Sequence, residues 1–270
     1  RFCTQYHTPA LLEYARREGG LDLVICDHVP EARAAWQRRF GERPSCDSVD
    51  ALLADGRIDA AYVLVPPAAC CEVVCAIVQR GVPTFTEKPP GLTAAETRRM
   101  VAAAANTPHA VGFNRRFTPA LRRLRDLART EAPTPLLYAC EFCRTGRYDA
   151  DFATTLIHGI DALRFLGGDV ESLHAQVAAV SGKKPFRNLM LTGRFASGAL
   201  LRMDILPVSG RAVERYRIVG EGVTLEARLA LPALDAESEI RVYRDVRLAA
   251  RLGEADLGVA GASPAIRFGF

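Results

Sequence analysis

Two hydrophobic rhythms alternate along the first 116 residues. Segments 9–17, 31–40, 49–54, 69–80 and 93–105 read as helices, with Gly41 and Gly81 closing two of them. Between them lie short, nearly continuous apolar runs at 21–27, 60–65, 82–86 and 109–113. Strands of that kind, separated by helices, predict a parallel sheet covered on both faces. Ligands of such sheets bind beyond the carboxyl ends of the strands, where Asp27, Pro66, Lys88 and Asn114 fall.

A helix at 117–129 sets Leu121, Leu124 and Ala128 on one side and Arg122, Arg125 and Arg129 on the other. From about Leu136 the rhythm changes. Residues 137–143 read as a strand, and a helix over 152–166 stops at Gly167-Gly168. Strand-like segments then follow at 170–180, 188–196, 199–208, 214–219, 223–229 and 239–246. Runs of strands joined by short turns predict an α+β domain built on a large, mainly antiparallel open sheet. The expected organisation is therefore a doubly wound α/β domain over 1–116 and an α+β domain over 117–270.

Composition narrows the class. With 49% hydrophobic and 24% charged residues, the chain has ordinary globular content. No apolar run reaches the ~18–20 residues that span a bilayer, so no membrane partner is expected. The net charge of +4 gathers in an arginine-rich face without a docking motif, and no nucleic-acid partner is expected. Eight cysteines lie mostly in apolar stretches, as reduced thiols of a cytoplasmic protein would. Cys140 and Cys143 form a C-x-x-C, but three residues apart on a strand they point to opposite faces, so no metal is assigned.

Only three of the 35 basic residues are lysine, and Lys88 is the only one in the first 182 positions. Arginine stays protonated, whereas a partly desolvated lysine can exchange a proton. Unless Lys88 is a chance surface residue, its place in Thr86-Glu87-Lys88-Pro89-Pro90 marks a position that arginine will not serve.

A dinucleotide-binding sheet should open with a strand and a G-x-G-x-x-G loop, followed about 20 residues later by an acid for the adenosine ribose. This chain has no glycine before Gly19, while Asp27 stands where that acid is expected. The first strand and glycine loop are thus expected to be missing from a clipped N-terminus. The close at 265–270, without a terminal helix, suggests a cut there too.

At Thr86-Glu87-Lys88-Pro89 the chain resembles the Gfo/Idh/MocA oxidoreductases. Ile25-Cys26-Asp27 resembles their second-strand acid, and Leu64-Val65-Pro66-Pro67 their proline turn beneath the nicotinamide. Val111-Gly112-Phe113-Asn114-Arg115-Arg116-Phe117 resembles their crossing into the second domain. Leu156-Ile157-His158-Gly159-Ile160-Asp161-Ala162-Leu163-Arg164-Phe165-Leu166-Gly167 resembles their site helix. The resemblance implies hydride transfer between NAD or NADP and a sugar, cyclitol or related polyol, in a homodimer or homotetramer assembled through the open sheet. Asp27 favours NAD, because a carboxylate bonds the ribose hydroxyls and repels a 2′-phosphate. His28 and Arg33 would soften that preference.

The resemblance assigns the cofactor to Asp27, Val65, Pro66, Glu87, Lys88 and Asn114, and the substrate to Lys88, Arg115, Asp161 and His158. Oxidising an alcohol needs a proton acceptor and a polar grip on the developing alkoxide. Lys88 suits the grip or a proton relay, and His158 the acceptor. Thr154, His158 and Asp161 form a polar stripe on the 152–166 helix, with Leu156, Ile160 and Leu163 on its apolar side. Glu87 would otherwise serve only as an ion-pair partner, and His158 only as a structural residue.

Thr154 departs from the family, which commonly has aspartate there. Threonine cannot raise the histidine pKa by charge. Either Asp149, Asp151 or Asp161 compensates, or the substrate or reaction differs, or turnover is lost. In that last case the protein would be a nucleotide-binding sensor or scaffold. Cys70 similarly stands where many members have histidine.

Overall fold

The computed structural model describes residues 3–54, 56, 58–147, 153–179, 187–230, 237–262, 267 and 269; the side chains of 153 and 154 are outside the description. The chain divides into two compact units, 1–112 and 113–270. This boundary lies four residues before the one the pattern predicts. The turn Asn114–Phe117 is tied through Arg115 and Arg116 to partners in the second unit.

In the first unit a π-helical turn, Cys3–His7, runs into α1 (Thr8–Glu18). Then come β1 (Ile25–Cys26), α2 (Pro30–Phe40), β2 (Ser45–Cys46), α3 (Val49–Ala54), β3 (Ala61–Val63) and α4 (Pro67–Val78). The unit closes with β4 (Thr84–Thr86), α5 (Ala94–Ala103) and β5 (His109–Val111). All pairings are parallel, as expected for a Rossmann-type domain, but they fall into two sheets, β1-β2 and β3-β4-β5. The strand expected over 21–27 is only two residues long. Its hydrogen-bonded neighbour among the described residues is β2, on one side alone, so little ladder holds the flanking residues extended.

The core of this unit forms where α4 and α5 cover β3 and β4. Val74, Ile77, Val78 and Met100 are almost fully buried there, with Cys70, Cys71 and Cys75 acting as small apolar residues. The start of α5 is fixed by a reciprocal cap. Thr93 Oγ1 accepts the Glu96 backbone N–H at 3.1 Å, and Glu96 Oε2 accepts that of Leu92 at 2.6 Å. This cap anchors the far end of the turn that carries Lys88.

The second unit contains α6 (Pro119–Glu131), β6 (Leu137–Cys143) and α7 (Ala153–Gly167). A run of strands follows: β7 (Val170–Ala179), β8 (Arg187–Phe195), β9 (Leu200–Leu206), β10 (Val213–Gly220), β11 (Val223–Arg228), β12 (Glu239–Arg244) and β13 (Arg247–Leu252). They make one eight-stranded sheet in the order β13-β12-β11-β10-β6-β9-β8-β7, antiparallel except for the parallel pair β6–β9. The pattern missed β13, whose residues are largely exposed and carry no alternating signal.

Period-2 alternation is plain on β10, where Glu214, Tyr216 and Ile218 share the buried face. Against that face pack Leu121, Leu124 and Ala128 of α6 and Ala162 and Leu163 of α7. Gly159 brings α7 close to the sheet, because a Cβ there would stand 2.9 Å from Phe142 and overlap Met203. Ile160, expected on the apolar side of α7, is instead 37% exposed. The helix presents Gly159, Ala162 and Leu163 to the sheet, a stripe rotated from the one that the largest side chains suggest. Among the described residues no helix is long and apolar enough to cross a membrane.

Candidate active site

The parallel strands of the first unit deliver its chemistry. Beyond β4 the ladder continues for one residue on each side: Glu87 N–H donates to Val63 O at 3.3 Å, and Gly112 N–H to Thr86 O at 2.8 Å. Thr86 is fully buried, and its Oγ1 lies 3.1 Å from Cys70 Sγ. Cys70 therefore fills space beneath the turn, and burial pushes its thiol pKa up.

Glu87 is held from two directions. Its Oε1 lies 2.7 Å from His7 Nε2, and its Oε2 accepts the Lys88 backbone N–H at 3.2 Å. His7 is itself buried, tilted against the Phe85 ring at 5.4 Å, and Phe85 stacks on Tyr62 at 4.9 Å. Gly112 completes the cradle, since a Cβ there would meet Phe85 at 2.9 Å and Glu87 at 3.4 Å. The Lys88–Pro89 peptide is cis, and the Lys88 side chain is half-buried. Val65 and Pro66, just past β3, are exposed. Asp27 follows β1 with its side chain 41% exposed; Oδ1 accepts the Val29 N–H at 2.9 Å. Arg33 donates to the Asp27 carbonyl, which draws its guanidinium to the backbone.

In the second unit two residues expected at the substrate have other partners. Arg115 gives Nε to Glu214 Oε1 at 2.8 Å and Nη2 to Oε2 at 3.3 Å, while Nη1 reaches Asn114 Oδ1 at 3.3 Å. Asp161 is buried in a two-pronged pair with Arg116, at 2.8 and 2.5 Å. Both side chains, expected at the substrate, are thus ion-paired within the unit. Asn114 is buried beside Arg115. Asp161, one of the three acids considered as compensating for Thr154, accepts both of these bonds from Arg116. The other two candidates, Asp149 and Asp151, lie outside the described residues, as does the Thr154 side chain.

Sequence reasoning passed over Glu214. It is fully buried, bonded by Arg115, by Arg144 Nη2 at 2.6 Å and by the Tyr216 hydroxyl at 2.9 Å. Burial alone would raise its carboxyl pKa, but the guanidiniums of Arg115 and Arg144, with a smaller contribution from His158, pull it down to about 2. Tyr216 moves the other way, well above its usual range, through burial and the adjacent carboxylate. The available signal was an acid in phase with Tyr216 and Ile218 on the apolar face of a strand. His7 had no comparable signal, because only the fold brings it to Glu87.

Comparison with known proteins agrees with this architecture. Residues 1–114 match the Gfo/Idh/MocA model, described as an oxidoreductase family with an NAD-binding Rossmann fold. Inositol 2-dehydrogenase of Paracoccus denitrificans (strain Pd 1222) is 34% identical over 152 residues, 53% of this chain and 42% of that protein. The chain thus spans less than half the length of that relative. A Gfo/Idh/MocA family oxidoreductase from Vibrio cholerae superposes with a TM-score of 0.80 at 20% identity, covering 100% of this chain and 83% of that one. The WlbA dehydrogenase from Bordetella pertussis, solved with NADH and UDP-GlcNAcA, gives a TM-score of 0.73 at 20% identity, over 84% of this chain and 71% of that one. Over residues 1–114 the chain is thus similar to the Gfo/Idh/MocA oxidoreductases, with their NAD-binding Rossmann fold.

Proposed function

We propose that this protein is an NAD-dependent oxidoreductase that moves a hydride between nicotinamide and a hydroxyl or carbonyl carbon of a sugar, cyclitol or related polyol. The observation that carries the reading is the Glu87-Lys88-Pro89 turn, fixed by His7 at the carboxyl end of β4 in a domain similar to those of the Gfo/Idh/MocA oxidoreductases. The similarity to an inositol dehydrogenase supports the polyol class.

The residues present fit parts of the cofactor. A carboxylate offers about four lone-pair positions, and the Val29 N–H uses one of those on Asp27, so ribose hydroxyls suit the rest. Val65, Pro66, Glu87 and Asn114 would hold the nicotinamide end. No described segment supplies a G-x-G-x-x-G cradle for the pyrophosphate. When bound, NAD supplies the hydride acceptor.

The chain's own residues then handle protons and charge. Lys88 grips the substrate oxygen as negative charge develops on it, and His158 takes the hydroxyl proton. Pro89, Pro90 and the doubly bonded Glu87 aim the lysine stem. Arg115 and Asp161 act at one remove, by bracing their own neighbourhoods. Reduced thiols suit a cytoplasmic setting, and assembly as a homodimer or homotetramer through the open sheet belongs to the same reading. Thr154 favours a second reading, a nucleotide-binding sensor of the same fold.

Reduction of NAD screened against inositols, aldoses and sugar acids separates the two. Turnover of any of them supports the enzyme, whereas NADH binding without turnover supports the sensor. Cofactor choice gives a sharper result. Asp27→Ala should lower the preference for NAD over NADP by about 10- to 100-fold, the worth of one charge-assisted hydrogen bond. Titration of both reduced cofactors by fluorescence checks this; an unchanged ratio would remove Asp27 from the ribose site.

A further inference from the structure

We infer that Glu214 is the positioning acid for His158, supplying from the sheet the negative charge that Thr154 does not supply from the helix. The inference rests on the oxidoreductase reading for its catalytic meaning, but the electrostatic coupling itself does not depend on turnover.

The geometry runs through Phe142. Glu214 on β10 pairs in register with Phe142 on β6, so the two side chains share the face covered by α7. Gly159, the residue after His158, is the point where α7 comes down on the Phe142 ring. The Arg144 guanidinium lies 3.8 Å above the same ring while bonding Glu214. The residue next to His158 therefore lies on the register partner of Glu214, and the carboxylate registers the histidine's charge.

The charged and titratable groups around Glu214 are Arg115 from the 114–117 turn, Arg144 beyond β6, Cys140 on β6, Tyr216 on its own strand and His158 on α7. With both arginines protonated and Glu214 ionised, this group carries one net positive charge before His158 takes a proton. Without Glu214 it would carry two, and a protonated imidazole would face both guanidiniums unopposed. The carboxylate is what lets His158 accept a proton beside them. A catalytic histidine set this way loses its proton affinity when the acid is removed and gains affinity when one arginine is removed.

That opposition of signs is the test. In Glu214→Gln the imidazole titration of His158, followed by NMR and assigned with His158→Gln, should move to lower pH. In Arg144→Gln it should move to higher pH. The acid limb of the pH–rate profile should follow in both variants, with plateau kcat in Glu214→Gln reduced about threefold to tenfold and KM little changed. A purely structural Glu214 would lower stability in both variants and leave the His158 titration where it is, and that result overturns the inference. Should Glu214→Gln fail to fold, Arg144→Gln alone decides by the direction of its shift. Absence of turnover in the unaltered protein would count against the oxidoreductase reading only, because the NMR titration still reports the coupling.

Discussion

Lys88→Met is expected to reduce NAD-linked turnover by about 10²- to 10³-fold, the usual cost of removing one donor aimed at a developing oxyanion. The turn should keep its shape in this variant. Its fixing contacts are the backbone N–H of residue 88, the Glu87 carboxylate, His7 and the α5 cap, and none of these uses the ammonium group. NADH affinity should therefore change little while kcat falls. Lys88→Arg discriminates further. Its guanidinium keeps the charge but is bulkier, planar and unable to give up a proton at neutral pH, so it should not restore the rate. Steady-state kinetics of the two variants with any substrate found by screening check this. Full activity in Lys88→Arg would mean that charge alone suffices at this position.

The largest effect on stability is expected at Glu214. Glu214→Ala leaves Arg115 and Arg144 buried without their carboxylate, and breaking such a group typically costs ~3–5 kcal/mol. For a unit of this size that corresponds to a drop in Tm of about 10 °C. Removal of an exposed partner such as Asp204, paired with Arg202 at 3.0 Å, should cost under about 1 kcal/mol.

The acid limb of stability has a definite sign. The folded-state pKa of Glu214 lies at about 2, below the ordinary 4.5. Its contribution is present above the ordinary value and is lost as pH falls from there toward the folded value. The unaltered protein should lose stability steeply in that window, and Glu214→Ala should lose less across it. Thermal unfolding followed by circular dichroism over a pH series reads both effects. A penalty no larger than that of Asp204→Ala, with an unchanged acid slope, would show that the buried triad is not a major support.

Hydrophobic period alone revealed the helices, the parallel β3–β5 strands and most of the open sheet, because elements such as α6 and β10 bury a regular stripe. It overstated β1, where an apolar run is necessary for a strand but a partner on each edge is what extends one. The Lys88 turn could be read from chemistry, since it carries the one lysine in the first 182 residues of an arginine-rich chain, followed by two prolines. The Arg115–Glu214–Arg144 group could not be read in the same way. Its members lie up to 99 residues apart, and charged side chains are ordinarily expected in water until a fold places them together. The counter-ions of Arg115 and Asp161 were illegible for the same reason, since only the fold brings Glu214 and Arg116 to them.

The most direct test of the central claim is isotope transfer. NAD is incubated with the protein and a panel of inositols, aldoses and sugar acids deuterated at carbon, and the recovered nicotinamide is examined by mass spectrometry. The account predicts that at least one compound delivers deuterium to the nicotinamide ring, and that Lys88→Met suppresses the transfer. Recovery of unlabelled cofactor from the whole panel, with NADH binding demonstrated in the same preparation, would contradict it.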